Sequence, residues 1–215
     1  MSETTTEQTP DINELQLRNE MMPEVDGSVQ PEDFFSPPLP DDGEHAAVLR
    51  LGDRGTKIKR QKDPETGQLT GAAYIEAHIM AKILDEEGEE TITVFDNPNS
   101  VVMQSTRTSR LHMVLKAARF DLPERPSFGD FEEFVKVALA QVPQVTITTQ
   151  WQAQINRGTR EKPDYKNLLT GQRNFKKILD ADGNWTGKYD PEVIDPESHQ
   201  KVRAIARITR YGVMQ

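Results

Sequence analysis

Cysteine is absent from the 215 residues, and that absence excludes disulfides, thiolate zinc sites and cysteine nucleophiles together. No apolar run approaches the ~18 residues that a membrane-spanning helix needs. The opening MSETTTEQTPDINEL has neither the basic stretch nor the apolar core of a signal peptide. The expectation is a soluble, cytoplasmic protein with no membrane partner. Histidine is scarce as well. His45, His78, His112 and His199 lie far apart with no ligand-spaced neighbour, so neither a metal site nor a cofactor is expected. Gly52-Asp53-Arg54-Gly55-Thr56-Lys57 has the residue types of a phosphate loop but not its spacing. Asp180-Ala181-Asp182-Gly183-Asn184 mimics the start of a calcium loop, yet Pro191 stands where the bidentate acid belongs, and the stretch reads as a hairpin turn. No Ser-His-Asp or paired-carboxylate pattern rises above chance. The sequence gives no ground for an enzyme.

What is present is acid, unevenly placed. The net charge is −9. Residues 1–44 hold twelve acids against the single base Arg18, a net of −11, whereas the remainder has 25 bases and 23 acids, a net of +2. The first segment is rich in Glu, Asp, Thr, Gln and Pro and has no hydrophobic period. It cannot bury enough surface to offset its ordering entropy, so residues 1–44 read as an acidic disordered tail and 45–215 as the folded domain. Phe34-Phe35-Ser36-Pro37-Pro38-Leu39-Pro40 reads either as a pinned linker into the first strand or as a short anchor that packs on the domain or on a partner.

The domain reads as mostly β with a two-helix insert, in the order β-β-β-α-α-β-β. A first strand runs from Ala47 to Arg60 and changes character near Gly52 and Gly55 through a bulge. Asp63-Pro64-Glu65-Thr66-Gly67 signals a turn. Ala73, Ile75, Ala77, Ile79, Ala81 and Ile83 then alternate with polar or larger residues, the period of a strand with one buried face. A short strand follows over Thr91 to Phe95. Leu111, Val114, Leu115 and Ala118 predict a helix capped by Thr108 or Ser109, and Phe131, Phe134, Val135, Ala138 and Leu139 a second. Asp130 and Glu133 have the spacing of a capping box. Strands resume with Val145, Ile147, Thr149, Trp151, Ala153 and Ile155 on one face. A last strand sets Val202, Ala204, Ala206 and Ile208 against Lys201, Arg203, Ile205, Arg207, Thr209 and Tyr211. Three strands, a helical insert and two strands is the order of an OB-like five-stranded barrel.

Three basic clusters accompany these strands. Arg54, Lys57, Lys59, Arg60 and Lys62 lie at the end of the first strand and in the loop after it. Arg157, Arg160, Lys162, Lys166, Arg173, Lys176 and Lys177 follow the fourth, with only Glu161 and Asp164 among them, a net of +5. Lys201, Arg203 and Arg207 share a face of the last strand with Tyr211. In an OB barrel the loops after strands one and four flank the binding face. A positive groove there would track phosphates, and aromatics beside it would stack on bases. Tyr165, Trp185 and Tyr189 are the candidates, whereas Trp151 and Phe175 read as core and local packing.

The segments PPLPDDGEHAAVLRLGDRG, GAAYIEAHIMAKI, TSRLHMVLKAA, TTQWQAQI and VRAIARITRYG, spread over residues 38–212, give the chain a layout that resembles phage-encoded single-stranded DNA-binding proteins of the OB type. The resemblance implies a non-catalytic accessory that coats single-stranded DNA in replication or recombination, in the host cell cytoplasm, and recruits proteins of those processes through an acidic tail. In such proteins the tail is usually C-terminal. Here the acid lies at the N-terminus and the chain ends Tyr211-Gly212-Val213-Met214-Gln215. The rival expectation is a virion or scaffold protein whose N-terminal arm clasps a neighbouring subunit. Homo-oligomerisation is compatible with both.

Overall fold

The computed structural model describes residues 38–62, 69–159 and 163–214. The turn expected at Asp63–Gly67 and the anchor residues Phe34 and Phe35 lie outside them. The described chain is mostly β with two helices: β1 (Gly43–Lys62), β2 (Leu69–Leu84), β3 (Glu90–Asp96), α1 (Arg110–Ala117), α2 (Phe128–Ala140), β4 (Gln144–Asn156), β5 (Tyr165–Thr170), β6 (Lys177–Leu179), β7 (Trp185–Tyr189), β8 (Glu192–Ile194), β9 (Lys201–Arg203) and β10 (Ile205–Val213). Six strands form one sheet in the order β10-β4-β1-β2-β3, with β5 added beside β4. β6 with β7, and β8 with β9, make separate two-stranded ladders.

Period-2 patterning sets the sheet's inner face. Ala47, Leu49, Ile75, Ala77, Ile79, Ala81, Val94, Val145 and Ile147 turn inward and are buried against Leu111, Val114 and Leu115 of α1 and Phe131, Val135 and Leu139 of α2. α1 begins at Ser109, whose hydroxyl accepts from the His112 amide at 3.2 Å. The cap of α2 falls one turn before the expected Asp130–Glu133 box. Ser127 caps it and exchanges hydrogen bonds with Asp130, because Asp130 occupies the third position that such a reciprocal pair requires.

The expected bulge lies where β1 runs from Leu51 to Thr56 while β2 moves only from Ile79 to Ala77. Glycine is needed there twice. A Cβ on Gly52 would come within 2.4 Å of His78 Nδ1, and Gly55 has φ +59°. The Thr56 hydroxyl donates to Glu132 at 2.6 Å, tying the bulge to α2 and lowering that carboxyl's pKa.

Three expectations change. The sheet does not close into a barrel, because β3 and β10 share no backbone ladder among the described residues. Side chains bridge that gap instead. Asp96 accepts from Arg110 Nη2 at 2.7 Å and from the Tyr211 hydroxyl at 2.8 Å, while Arg110 also donates to the Ile208 carbonyl. Second, where the sequence pattern placed no element between the fourth strand and the last, the chain forms five short strands and a 3-10 turn, packed on a second core of Trp151, Ala153, Phe175 and Ala204. Third, the fold begins before residue 45. Leu39 packs on that second core, the Pro40 carbonyl accepts from the Trp151 indole at 2.6 Å, and Asp42 accepts from the backbone of Trp151 and Gln172. Asp41, Asp42 and Glu44 therefore belong with the domain, and from Pro38 onward it carries 25 bases against 26 acids.

Candidate nucleic-acid interface

With Ile75, Ala77 and Ile79 turned inward, Tyr74, Glu76, His78, Met80 and Lys82 of β2 face outward. The register sets Lys57 opposite Glu76, Lys59 opposite Tyr74 and Phe95 opposite Met80, so Lys57, Lys59 and Phe95 share that outer face. Phe95 is 55% exposed and stacks parallel to the His78 imidazole in an offset arrangement, with centroids 5.4 Å apart and planes 3° from parallel. Arg54, Lys57 and Arg60 are exposed, and none of the three forms an ion pair among the described residues. Lys59 is paired with Glu76. Farther along the same face Arg50 and Lys82 both engage Glu90, whose carboxyl falls to a pKa of about 2 through the hydrogen bond from Arg50 and then that from Lys82. Those two cations share one carboxylate, and the three side chains together keep a net charge of +1. The side chain of Lys62 lies outside the described residues.

The second cluster is largely drawn into the fold. Arg157 reaches the buried Asp195 at 2.8 Å and also pairs with Glu197, so it holds the end of β4 to the β8–β9 corner instead of facing a groove. Asp195 is fixed further by the Ser198 hydroxyl and amide, and the hydroxyl bond is the main reason its pKa is lowered. Lys166 pairs with Asp164 at 3.4 Å. Lys177 sits 4.8 Å over the Trp185 ring. Arg173 and Lys176 are exposed. Arg160 and Lys162 lie outside the described residues. Of the aromatics, Tyr165 is 63% exposed and Trp185 47%, the latter meeting Tyr189 edge-on at 5.5 Å. Trp185, Tyr189 and Arg173 border an open cavity of about 870 Å³, whose opposite wall contains Asp41 and Asp42. Asp180 N to Asn184 O, at 2.8 Å, closes the β6–β7 hairpin as the turn signal required.

The third cluster divides. Lys201 pairs with Glu192 at 3.3 Å, Arg207 donates to Gln154 at 2.7 Å, and Arg203 is exposed. Tyr211 does not share their face. The register of β10 on β4 shifts between Ile208 and Arg210, and the extra residue reverses the alternation. Tyr211 therefore turns inward, against the first core and over Arg110.

The basic and aromatic candidates that the sequence suggested for one groove are divided between two cavities. The cavity at Arg54, Lys57 and Lys59 and the cavity at Arg173, Trp185 and Tyr189 share no lining residue. Tyr74, His78, Phe95 and Asn97 were not among the sequence candidates. A signal for Phe95 exists: Ile92 and Val94 claim the inner phase of β3, which leaves a large aromatic on the phase normally given to polar residues. Among the described residues no group of acids and histidines could hold a metal ion, and no helix is long and apolar enough to cross a membrane. Comparison with protein-family models, with curated proteins and with solved structures finds no match to this chain.

Proposed function

We propose that this protein binds single-stranded DNA without catalysis, using the outer face of β1–β2–β3 as its principal contact. The observation that carries the reading is Phe95: an exposed ring stacked with His78, an imidazole that also lines a cavity with Arg54 and Lys57, two cations without an acidic partner among the described residues. Every base has a π-face, so such a platform accepts any sequence and contributes roughly 1–3 kcal/mol per stacked base. The cations add phosphate contact and the release of condensed counterions.

Topology supports the same reading. With β10 as the fifth strand, the order β3-β2-β1-β4-β10 and two helices between β3 and β4 match the OB arrangement. We read the fold as an OB-like barrel left open between β3 and β10, where the Asp96–Arg110–Tyr211 bridge replaces a ladder. In OB proteins the face of strands two and three, with the β1–β2 and β4–β5 loops, contacts oligonucleotides. Here Phe95 lies on that face, and the β5–β9 elaboration occupies the place of the second loop. A role in coating transient single strands during replication or recombination, in the cytoplasm and with proteins of those processes as partners, follows from this reading.

The test is fluorescence anisotropy of a labelled oligothymidylate against a duplex of equal length, over a range of salt. The expected result is tighter binding of the single strand and an affinity that falls with salt, by roughly 0.7 in log–log slope per phosphate neutralised. A flat salt response or equal affinity for duplex would overturn the proposal. Sedimentation of the free protein alongside separates this reading from a virion component, which would assemble without nucleic acid.

A further inference from the structure

The bulge in β1 creates a cavity of about 160 Å³ lined by Arg54, Lys57, Lys59, Glu76, His78 and Asn97. Three cations there meet one carboxylate, and Glu76 is occupied by Lys59. Arg54 and Lys57 have no acidic partner among the described residues. Gly55, on the cavity's rim with φ +59°, has nothing within 4 Å of where a Cβ would stand, so the approach is open. His78 contributes to the wall, and its buried Nδ1 lies against Gly52, outside the lining. Size then selects the ligand. Sites for drug-sized molecules run from roughly 300 to 1,000 Å³, so this cavity is too small for a nucleoside but admits a tetrahedral oxyanion.

We infer that this cavity is a discrete phosphate-binding site. It takes one phosphodiester group of the strand whose base stacks on Phe95, and in that respect it rests on the single-strand reading. Arg54 supplies a planar donor fork suited to phosphate oxygens, and Lys57 a point charge. The site differs from a diffuse basic surface in one measurable respect: it saturates.

The experiment uses the full-length, isotope-labelled protein and follows its backbone amides by NMR. Inorganic phosphate is titrated in one arm and sodium chloride at matched ionic strength in the other, and oligothymidylate affinity is measured in both. Phosphate is expected to give saturable shifts at Gly55, Lys57 and His78 that chloride does not give. It should also compete with the oligonucleotide beyond the effect of ionic strength. Arg54→Ala with Lys57→Ala, both exposed positions, should weaken phosphate binding by about tenfold or more, as loss of charge-assisted hydrogen bonds does. Shifts that stay linear and equal in phosphate and chloride overturn the site. Saturable phosphate shifts with no oligonucleotide binding sustain the site for free phosphate and overturn the single-strand reading. Oligonucleotide binding that ignores both phosphate and the double substitution overturns the site and leaves that reading standing.

Discussion

The outer face of β1–β2–β3 and the β5–β9 elaboration carry comparable sets of bases and aromatics, yet they differ in which of these groups are already engaged. On the first, Phe95 is held on a long antiparallel ladder and stacks with His78, and Arg54 and Lys57 are exposed without acidic partners among the described residues. On the second, Arg157, Lys166 and Lys201 are matched with Asp195, Asp164 and Glu192, and Lys177 covers Trp185. Short strands without a large core of their own are held by such local pairs. On the long strands Lys59, Arg50 and Lys82 are paired as well, and it is at the bulge that Arg54 and Lys57 stay without an acidic partner among the described residues. Counting bases along the chain therefore does not tell which of them are already engaged.

The comparison breaks first on stability. Trp151→Ala removes a buried ring that contacts Phe175 and anchors the Pro40 carbonyl, and should destabilise the fold by about 3–5 kcal/mol in a thermal or denaturant melt. A small effect there would mean that the second region is not held by its core. Next comes affinity. Phe95→Ala should weaken oligothymidylate binding by roughly 1–3 kcal/mol with little change in melting temperature, because the ring is mostly solvent-facing. If the melt shifts and the affinity does not, Phe95 is structural and the platform is lost.

A third test concerns the open seam. Burial, and then the Asp96 carboxylate, push the Tyr211 hydroxyl well above the ordinary tyrosine value. The folded value lies above the unfolded one, so its contribution is complete below about pH 10 and is lost as pH rises from there through the folded value. Melts of the native chain should therefore fall more steeply above about pH 10 than those of Tyr211→Phe. That variant should itself cost about 1 kcal/mol at neutral pH, the net worth of one hydrogen bond. Parallel alkaline profiles would show that the bridge does not hold β3 to β10. The smallest effect is expected from Trp185→Ala, less than about 1 kcal/mol on either stability or binding, since the ring is half-exposed and already engaged by Lys177 and Tyr189. A loss of binding equal to that of Phe95→Ala would move the interface to the second region.

Much of this molecule is written locally. The strict alternation of Ile75, Ala77, Ile79 and Ala81, the spacing of Leu111, Val114 and Leu115, and the glycines at 52 and 55 determined strands, helix and bulge without reference to distant residues. These features follow from backbone periodicity and sterics, which act over a few residues. The candidate site was only half legible for the same reason. Basic residues show in a sequence, but whether a carboxylate meets them depends on partners far along the chain, such as Asp195 for Arg157 at a separation of 38. Phe95 acquires its backing from His78 only when β3 pairs with β2, and Tyr211 loses the face expected for it only when β10 slips by one residue on β4. Local sterics determined the elements. Strand register and long-range ion pairing, which exist only after the chain has closed on itself, decided which charges and rings remain available to a partner.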